Sequence, residues 1–192
     1  DCATSVSQRG KIEVYARAGE AIPHGWVIDS AVHSRTDTEQ ILIDLVAGKA
    51  ALTPLGGIGE DNAGYKGYGY ATVVEILSSA LQGGAFLKGL TGFGEGGEKV
   101  PYRLGHFFMA VDLAAFTGLD DFKARTGEIL RRLRASQKAP GQERIFTAGE
   151  KEHLAWLERK DQGVPVGKKL QEEMLQMRDE LELSGYRFSF ER

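Results

Sequence analysis

The chain is poor in the residues that would place it in several large protein classes. One cysteine, Cys2, stands among 192 residues, so an internal disulfide is excluded and a reducing, cytoplasmic setting is expected. No apolar run approaches the ~20 residues needed to cross a bilayer as a helix. The first ten residues are polar and lack the apolar centre of a secretory signal. Charge of one sign is also missing: 24 basic against 27 acidic side chains leave a net charge of −3, without the basic footprint of a nucleic-acid binder. Proline is scarce at 5, while glycine is abundant at 25 and concentrated in residues 48–105. Disordered chains are richer in proline and poorer in large apolar residues, so these glycines mark loops with demanding backbone geometry. An apolar content of 42% is ordinary for a globular protein.

The richest stretch runs from Thr53 to Leu81, where glycine-dense sequence leads into Ala71-Thr-Val-Val-Glu-Ile-Leu-Ser-Ser-Ala-Leu81. Apolar residues on almost every side predict a buried helix starting near Lys66 or Gly67. The first amides of a helix lack intrahelical acceptors, and Gly64, Gly67 and Gly69 would let an anion approach them, with Lys66 adding a cation. Such a place suits a phosphate or a carboxylate. A tight turn that uses glycine only for close packing is the alternative.

Elsewhere, Lys11–Arg17 alternates in polarity and reads as a half-buried strand, and Trp26–Asp29 as a short extended piece. Asp37 opens a helix with Gln40 in the position of a capping partner, Ile41, Leu42, Leu45 and Val46 form its inner stripe, and Gly48 stops it. His106–Leu113 is nearly continuous in apolar residues, the mark of a strand covered on both faces. Beyond residue 119 the chain turns charged and helical. One helix starts at Asp120 or Asp121, another at Thr147 with Glu150 completing a capping box, and a last one runs from about Val166 to Leu183. The interleaving predicts an α/β domain with a mixed sheet flanked by helices. Residues 1–118 would form the sheet and glycine-rich loops, and 119–192 a helical segment packing on the same domain.

Few side chains invite catalysis. Gly92–Gly97 matches G-x-G-x-x-G but follows no strand and opens no helix, so a surface loop is expected and a Rossmann site is not. His33-Ser34-Arg35 reads as a polar turn, since nothing orients the imidazole. His24 and His153 look exposed, and His106 a packing residue. No histidine pair has helical ligand spacing, so no metal is expected. Cys2 has no evident base. Asp1–Ser5 offers a carboxylate and hydroxyls that suit a ribose or an amide, or serve as strand-end caps.

The ordered series Asp1-Cys-Ala-Thr-Ser5, Gly10-Lys-Ile12, Pro23-His-Gly-Trp-Val-Ile-Asp29, Thr36-Asp37, Pro54-Leu-Gly-Gly57, Lys66-Gly-Tyr-Gly69 and Glu75-Ile-Leu77 resembles the malate/L-lactate dehydrogenase family, over roughly residues 1–183. That family is unrelated to the Rossmann dehydrogenases and includes sulfolactate, ureidoglycolate and diketogulonate oxidoreductases and piperideine-carboxylate reductases. The resemblance implies a non-Rossmann, dimeric, NAD(P)-dependent oxidoreductase of 2-hydroxy or 2-keto acids, with malate the first substrate and NAD the favoured cofactor. It implies cofactor contacts from Asp1, Cys2, Ala3, Thr4 and Ser5, with Val6 and Ser7 beside them. Tyr65, Lys66 and Gly67 at the glycine turn form a second set, and Gly149, Glu150 and Lys151 a third. Two departures stand out. Tyr65 occupies a place where many members carry histidine. The family's catalytic histidine lies ahead of the Asp-x-Ala-Thr-Ser strand, and none of His24, His33, His106 or His153 matches its motif. The chain is therefore expected to be the C-terminal portion of a longer enzyme, poorly soluble without its partner portion. The reading from another class is a nucleotide-binding module without catalysis, and a third is a purely structural subunit.

Overall fold

Four residues, Ile12, Ile22, Val27 and Ile41, form the buried apolar core, and the elements around them follow from how the sequence brings them together. The computed structural model describes residues 3–191; Asp1, Cys2 and Arg192 lie outside the described residues. Helix α1 (Arg9–Ala18) comes first, where the alternating pattern of Lys11–Arg17 predicts a strand. Alternation over so few residues competes with helical spacing, and Ile12, Tyr15 and Ala16 at i, i+3, i+4 prevail. The helix turns Ile12 inward and leaves Val14 61% exposed. Gly19, at φ 70°, closes it: its N–H reaches Ala16 O at 3.0 Å while Glu20 N–H reaches Tyr15 O at 2.9 Å. That pair of bonds is a Schellman closure, which needs the left-handed glycine.

Strands β1 (Val27–Asp29), β2 (Ser34–Arg35) and β3 (Ala50–Leu52) make a three-stranded sheet of order β2-β1-β3. Val27 pairs with Arg35 on one side and Leu52 on the other, both antiparallel. The described sheet is thus antiparallel where a mixed one is expected. Helix α2 (Thr38–Val46) joins β2 to β3. Asp37 stands at its N-cap, as expected, but does not cap it. Its carboxylate takes two bonds from Arg35, at 2.9 and 2.6 Å, which hold it below the usual carboxylate range. Gln40 likewise turns away, donating to Asp44 at 3.1 Å. The buried Asp44 also receives Arg35 at 3.2 Å, so its charge is paired.

Helix α3 (Gly64–Ser78) begins two residues before the expected start. Its surface contradicts the prediction of a buried helix. Only Gly64 and Gly67 are buried, while Tyr68, Val73 and Ile76 are each more than half exposed. Residues 101–112 form neither helix nor strand, although His106–Leu113 is expected as a central strand; Phe108 is 88% exposed. A strand needs a ladder neighbour, and here the Gln82 side chain alone flanks the His106 backbone, at 3.0 and 2.6 Å. The chain divides into two compact units, Asp1–Phe108 and Met109–Arg192. The second holds α4 (Leu119–Arg134), α5 (Glu150–Arg159) and α6 (Lys168–Glu180), the last shorter at both ends than its periodicity predicts. In α4 the inner stripe is incomplete: Phe122, Thr126 and Leu130 are half-buried, and Ile129 and Leu133 are exposed. Among the described residues no helix is long and apolar enough to cross a membrane.

The accessible surface is 15282 Å². Two compact units of these sizes, even without mutual contact, would expose about 11,000 Å². Large apolar side chains are exposed in both units, among them Tyr68, Val73 and Ile76 on α3, Phe108, Ile129 and Trp156. This distribution sets a contrast in stability. Ile12→Ala should cost about 2–4 kcal/mol in urea unfolding, whereas Ile76→Ala on the open face of α3 should stay within about 0.5 kcal/mol. Equal losses at both positions would contradict an exposed α3.

Candidate functional site

The extended segment after β3 joins the two N-terminal sets of expected contacts. Thr53 is fully buried, and its hydroxyl donates to Gly25 O at 2.5 Å and Trp26 O at 3.2 Å. Its N–H donates to Trp26 O at 3.0 Å, and its own carbonyl accepts from Val6 N–H at 2.9 Å. Two residues on, Leu55 N–H donates to Thr4 O at 3.0 Å, and Ser5 and Pro54 form an antiparallel bridge. The strand end at Thr4–Val6 is therefore fastened to residues 53–55.

The same segment touches the start of α3. A Cβ at Gly67 would collide with the Leu55 backbone, and one at Gly64 with the Gly57 carbonyl, so only glycine lets the helix lie this close. Thr4 and Ser5 on one side and Gly67 on the other thus meet residues 53–55. Ala3 is exposed at the head of the strand end. Asp1 and Cys2 belong to the same expected set and lie outside the described residues.

The amides at the helix start are less free than the sequence implies. Gly64 N–H donates to Gly59 O at 3.2 Å, and Lys66 N–H to Ala63 O at 3.0 Å. Ala63 reaches this geometry at φ 56°, a left-handed position. Donor capacity for an anion rests instead on the Lys66 ammonium. It lies 5.9 Å from the Tyr65 ring and has no carboxylate partner among the described residues. Tyr65 and Lys66 are both exposed.

The third set lies in the second unit, where Gly149 is the N-cap of α5 at φ 81°. A Cβ there would meet nothing within 4 Å, so the backbone is open to a ligand. The helix opens at Glu150 and not at the expected Thr147, and no side chain caps it, though the Glu150 carboxylate does accept from Thr147 N–H at 3.1 Å. It also accepts from the Thr147 hydroxyl at 3.2 Å, from Arg134 Nε at 3.1 Å and from Arg144. The Thr147 amide, then its hydroxyl and the two guanidinium groups, hold this carboxyl below the usual glutamate range. Arg144 and Lys151 both pack on the Phe146 ring, at 4.8 and 5.0 Å from its centroid. The two arginines were not legible as part of this site, because no short-range pattern links residue 134 to 147–151.

Of the histidines, His153 lies on α5, its N–H donating to Gly149 O at 3.0 Å. His33 sits 3.6 Å from Asp29 in the β1–β2 turn, where the Asp29 carboxylate also accepts from the Ala31 and His33 amides, whereas Ser34 and Arg35, expected in the same turn, form β2. His106 stacks on Phe108 and His153 on Trp156. Gly92–Gly97 is a loop closed by Val100 N–H on Gly92 O at 2.9 Å, with no helix after it.

The sequence matches the malate/L-lactate dehydrogenase family over residues 1–175. The chain belongs to that family. It is 40% identical over 174 residues to malate dehydrogenase of Pyrococcus abyssi, covering 91% of this chain and 46% of the relative. Against L-sulfolactate dehydrogenase of Methanothermobacter thermautotrophicus it is 30% identical over 184 residues, 96% of this chain and 48% of the relative. The crystal structure of malate dehydrogenase from Entamoeba histolytica superposes with a TM-score of 0.87 at 34% identity, over 98% of this chain and 51% of that one. The chain spans about half the length of the curated relatives it matches. Membership implies an NAD(P)-type cofactor.

The Glu150 network predicts a pH signature. Its folded pKa is lowered from the ordinary 4.5, so the stability it contributes is present above that value and lost as pH falls through the lowered one. The melting-temperature gap between the native chain and Glu150→Gln should be widest near neutrality and close in acid. A gap independent of pH would contradict the network.

Proposed function

We propose that this chain is the cofactor-binding portion of an NAD(P)-dependent dehydrogenase of 2-hydroxy acids, with malate the first substrate, acting as a cytoplasmic homodimer. The observation that carries the reading is the fastening of Thr4–Val6 to residues 53–55, which also support Gly67. That fastening supports reading Thr4–Ser5 and Tyr65–Gly67 as parts of one site. The third set, Gly149, Glu150 and Lys151, completes the list, and Asp1 and Cys2 extend the first.

When bound, the dinucleotide supplies or accepts the hydride at C2 of the acid. The chain's own groups bind and orient. The Lys66 ammonium holds a cofactor phosphate or the substrate carboxylate, and the Thr4–Ser5 strand end meets the ribose or the amide. Oxidation of malate to oxaloacetate also releases the hydroxyl proton, which needs a base. In this reading the base is a histidine from polypeptide outside residues 1–192, since none of His24, His33, His106 and His153 matches the motif of the family's catalytic histidine.

The test is calorimetric titration of the chain with NADH and NADPH beside an assay of malate oxidation. Cofactor should bind, and Lys66→Ala should weaken it by roughly tenfold. Turnover should appear only when the complementary part of the enzyme is present. Failure of both cofactors to bind would remove the reading, and malate turnover by the isolated chain would remove the external histidine.

A further inference from the structure

We propose that Arg144 and Lys151, packed on Phe146 at the start of α5, form a site for the 2′-phosphate of NADP(H), so that the chain prefers NADP(H) to NAD(H). The inference rests on the reading of Gly149–Lys151 as a cofactor contact and decides what that contact selects.

A carboxylate that selects NAD must keep oxygens free to accept from the ribose hydroxyls. Glu150 is already largely occupied by this chain's own donors. One oxygen takes Arg144, and the other takes Arg134 Nε, the Thr147 N–H and the Thr147 hydroxyl, all within 3.2 Å. Its side chain is only 13% exposed, so it faces the arginines and not the solvent. The cations keep capacity after pairing. Arg144 remains 51% exposed, and Lys151 has no carboxylate partner among the described residues. Glu143 and Glu152, their sequence neighbours, pair with neither cation. Three positive groups, Arg134, Arg144 and Lys151, thus stand around one negative charge.

That surplus suits a phosphate monoester, which carries close to two negative charges at neutral pH and accepts through three oxygens. Arginine provides a planar fork for it and lysine a mobile point charge. Phe146 is 40% exposed and offers a flat apolar surface beside both cations, as a purine next to its phosphate requires. The charge at this place reverses the expectation that NAD is favoured.

The test compares NADPH with NADH, and 2′,5′-ADP with 5′-AMP, by fluorescence and calorimetric titration of the full chain at two salt concentrations. NADPH and 2′,5′-ADP should bind at least roughly tenfold tighter than their counterparts, with the steeper salt dependence. Arg144→Ala should bring each ratio towards one. Arg144→Lys, which keeps a cation for Glu150, should fold normally and retain part of the preference. Equal affinities in the native chain, with NADH still bound, would overturn the phosphate site and leave the cofactor reading standing. A native preference untouched by Arg144→Ala in a folded variant would overturn the assignment to these residues. Absence of binding by all four ligands would overturn both.

Discussion

The backbone of residues 53–55 is the constraint on which the first unit depends. Thr53 places its hydroxyl and N–H on carbonyls at the mouth of β1, and its carbonyl receives Val6. Leu55 takes the other side of the strand end and supports the Gly67 face of α3. Thr53 is buried, so breaking its bonds would leave costly unmatched polar groups. One short segment therefore fixes the sheet, the N-terminal strand end and the glycine turn relative to each other. The Gly64 and Gly67 positions show why the glycines cluster there: they admit backbone contact, and they do so before any ligand is considered.

Much of this was legible wherever a local signal acts alone. Gly48 ends α2, Val27–Asp29 is extended, and Glu150 bonds back to Thr147, all as short-range chemistry dictates. The order of quoted motifs also carried the family. Failures came where a local signal had a competitor. At Lys11–Arg17 a brief alternation lost to helical spacing closed by Gly19. At Asp37 the capping carboxylate was taken by Arg35, two residues away, in a stronger charge-assisted bond. Burial failed for a different reason. The apolar faces of α3 and of His106–Leu113 are correctly read as apolar, but periodicity says only that a face is apolar, not that this chain covers it.

That last point connects fold to function. An apolar helix that stays open, in a chain spanning about half the length of its relatives, presents a surface of the kind that takes further polypeptide. In the proposed site, the Thr4–Val6 and Glu150 groups are held by hydrogen bonds within each unit. The cluster at Arg134, Arg144 and Glu150 could not be read from sequence because its members come from two elements separated by a loop. Their charges become informative only when the distances show which oxygens are already occupied.

The measurement that tests the central claim most directly is the map of backbone amide shifts as NADPH is added to isotope-labelled protein. The account predicts that Thr4–Ser7, Tyr65–Gly67 and Gly149–Lys151 shift together along one titration curve, with residues 53–55 following as the support beneath the first two. Shifts confined to other segments, with these amides unmoved, would contradict it.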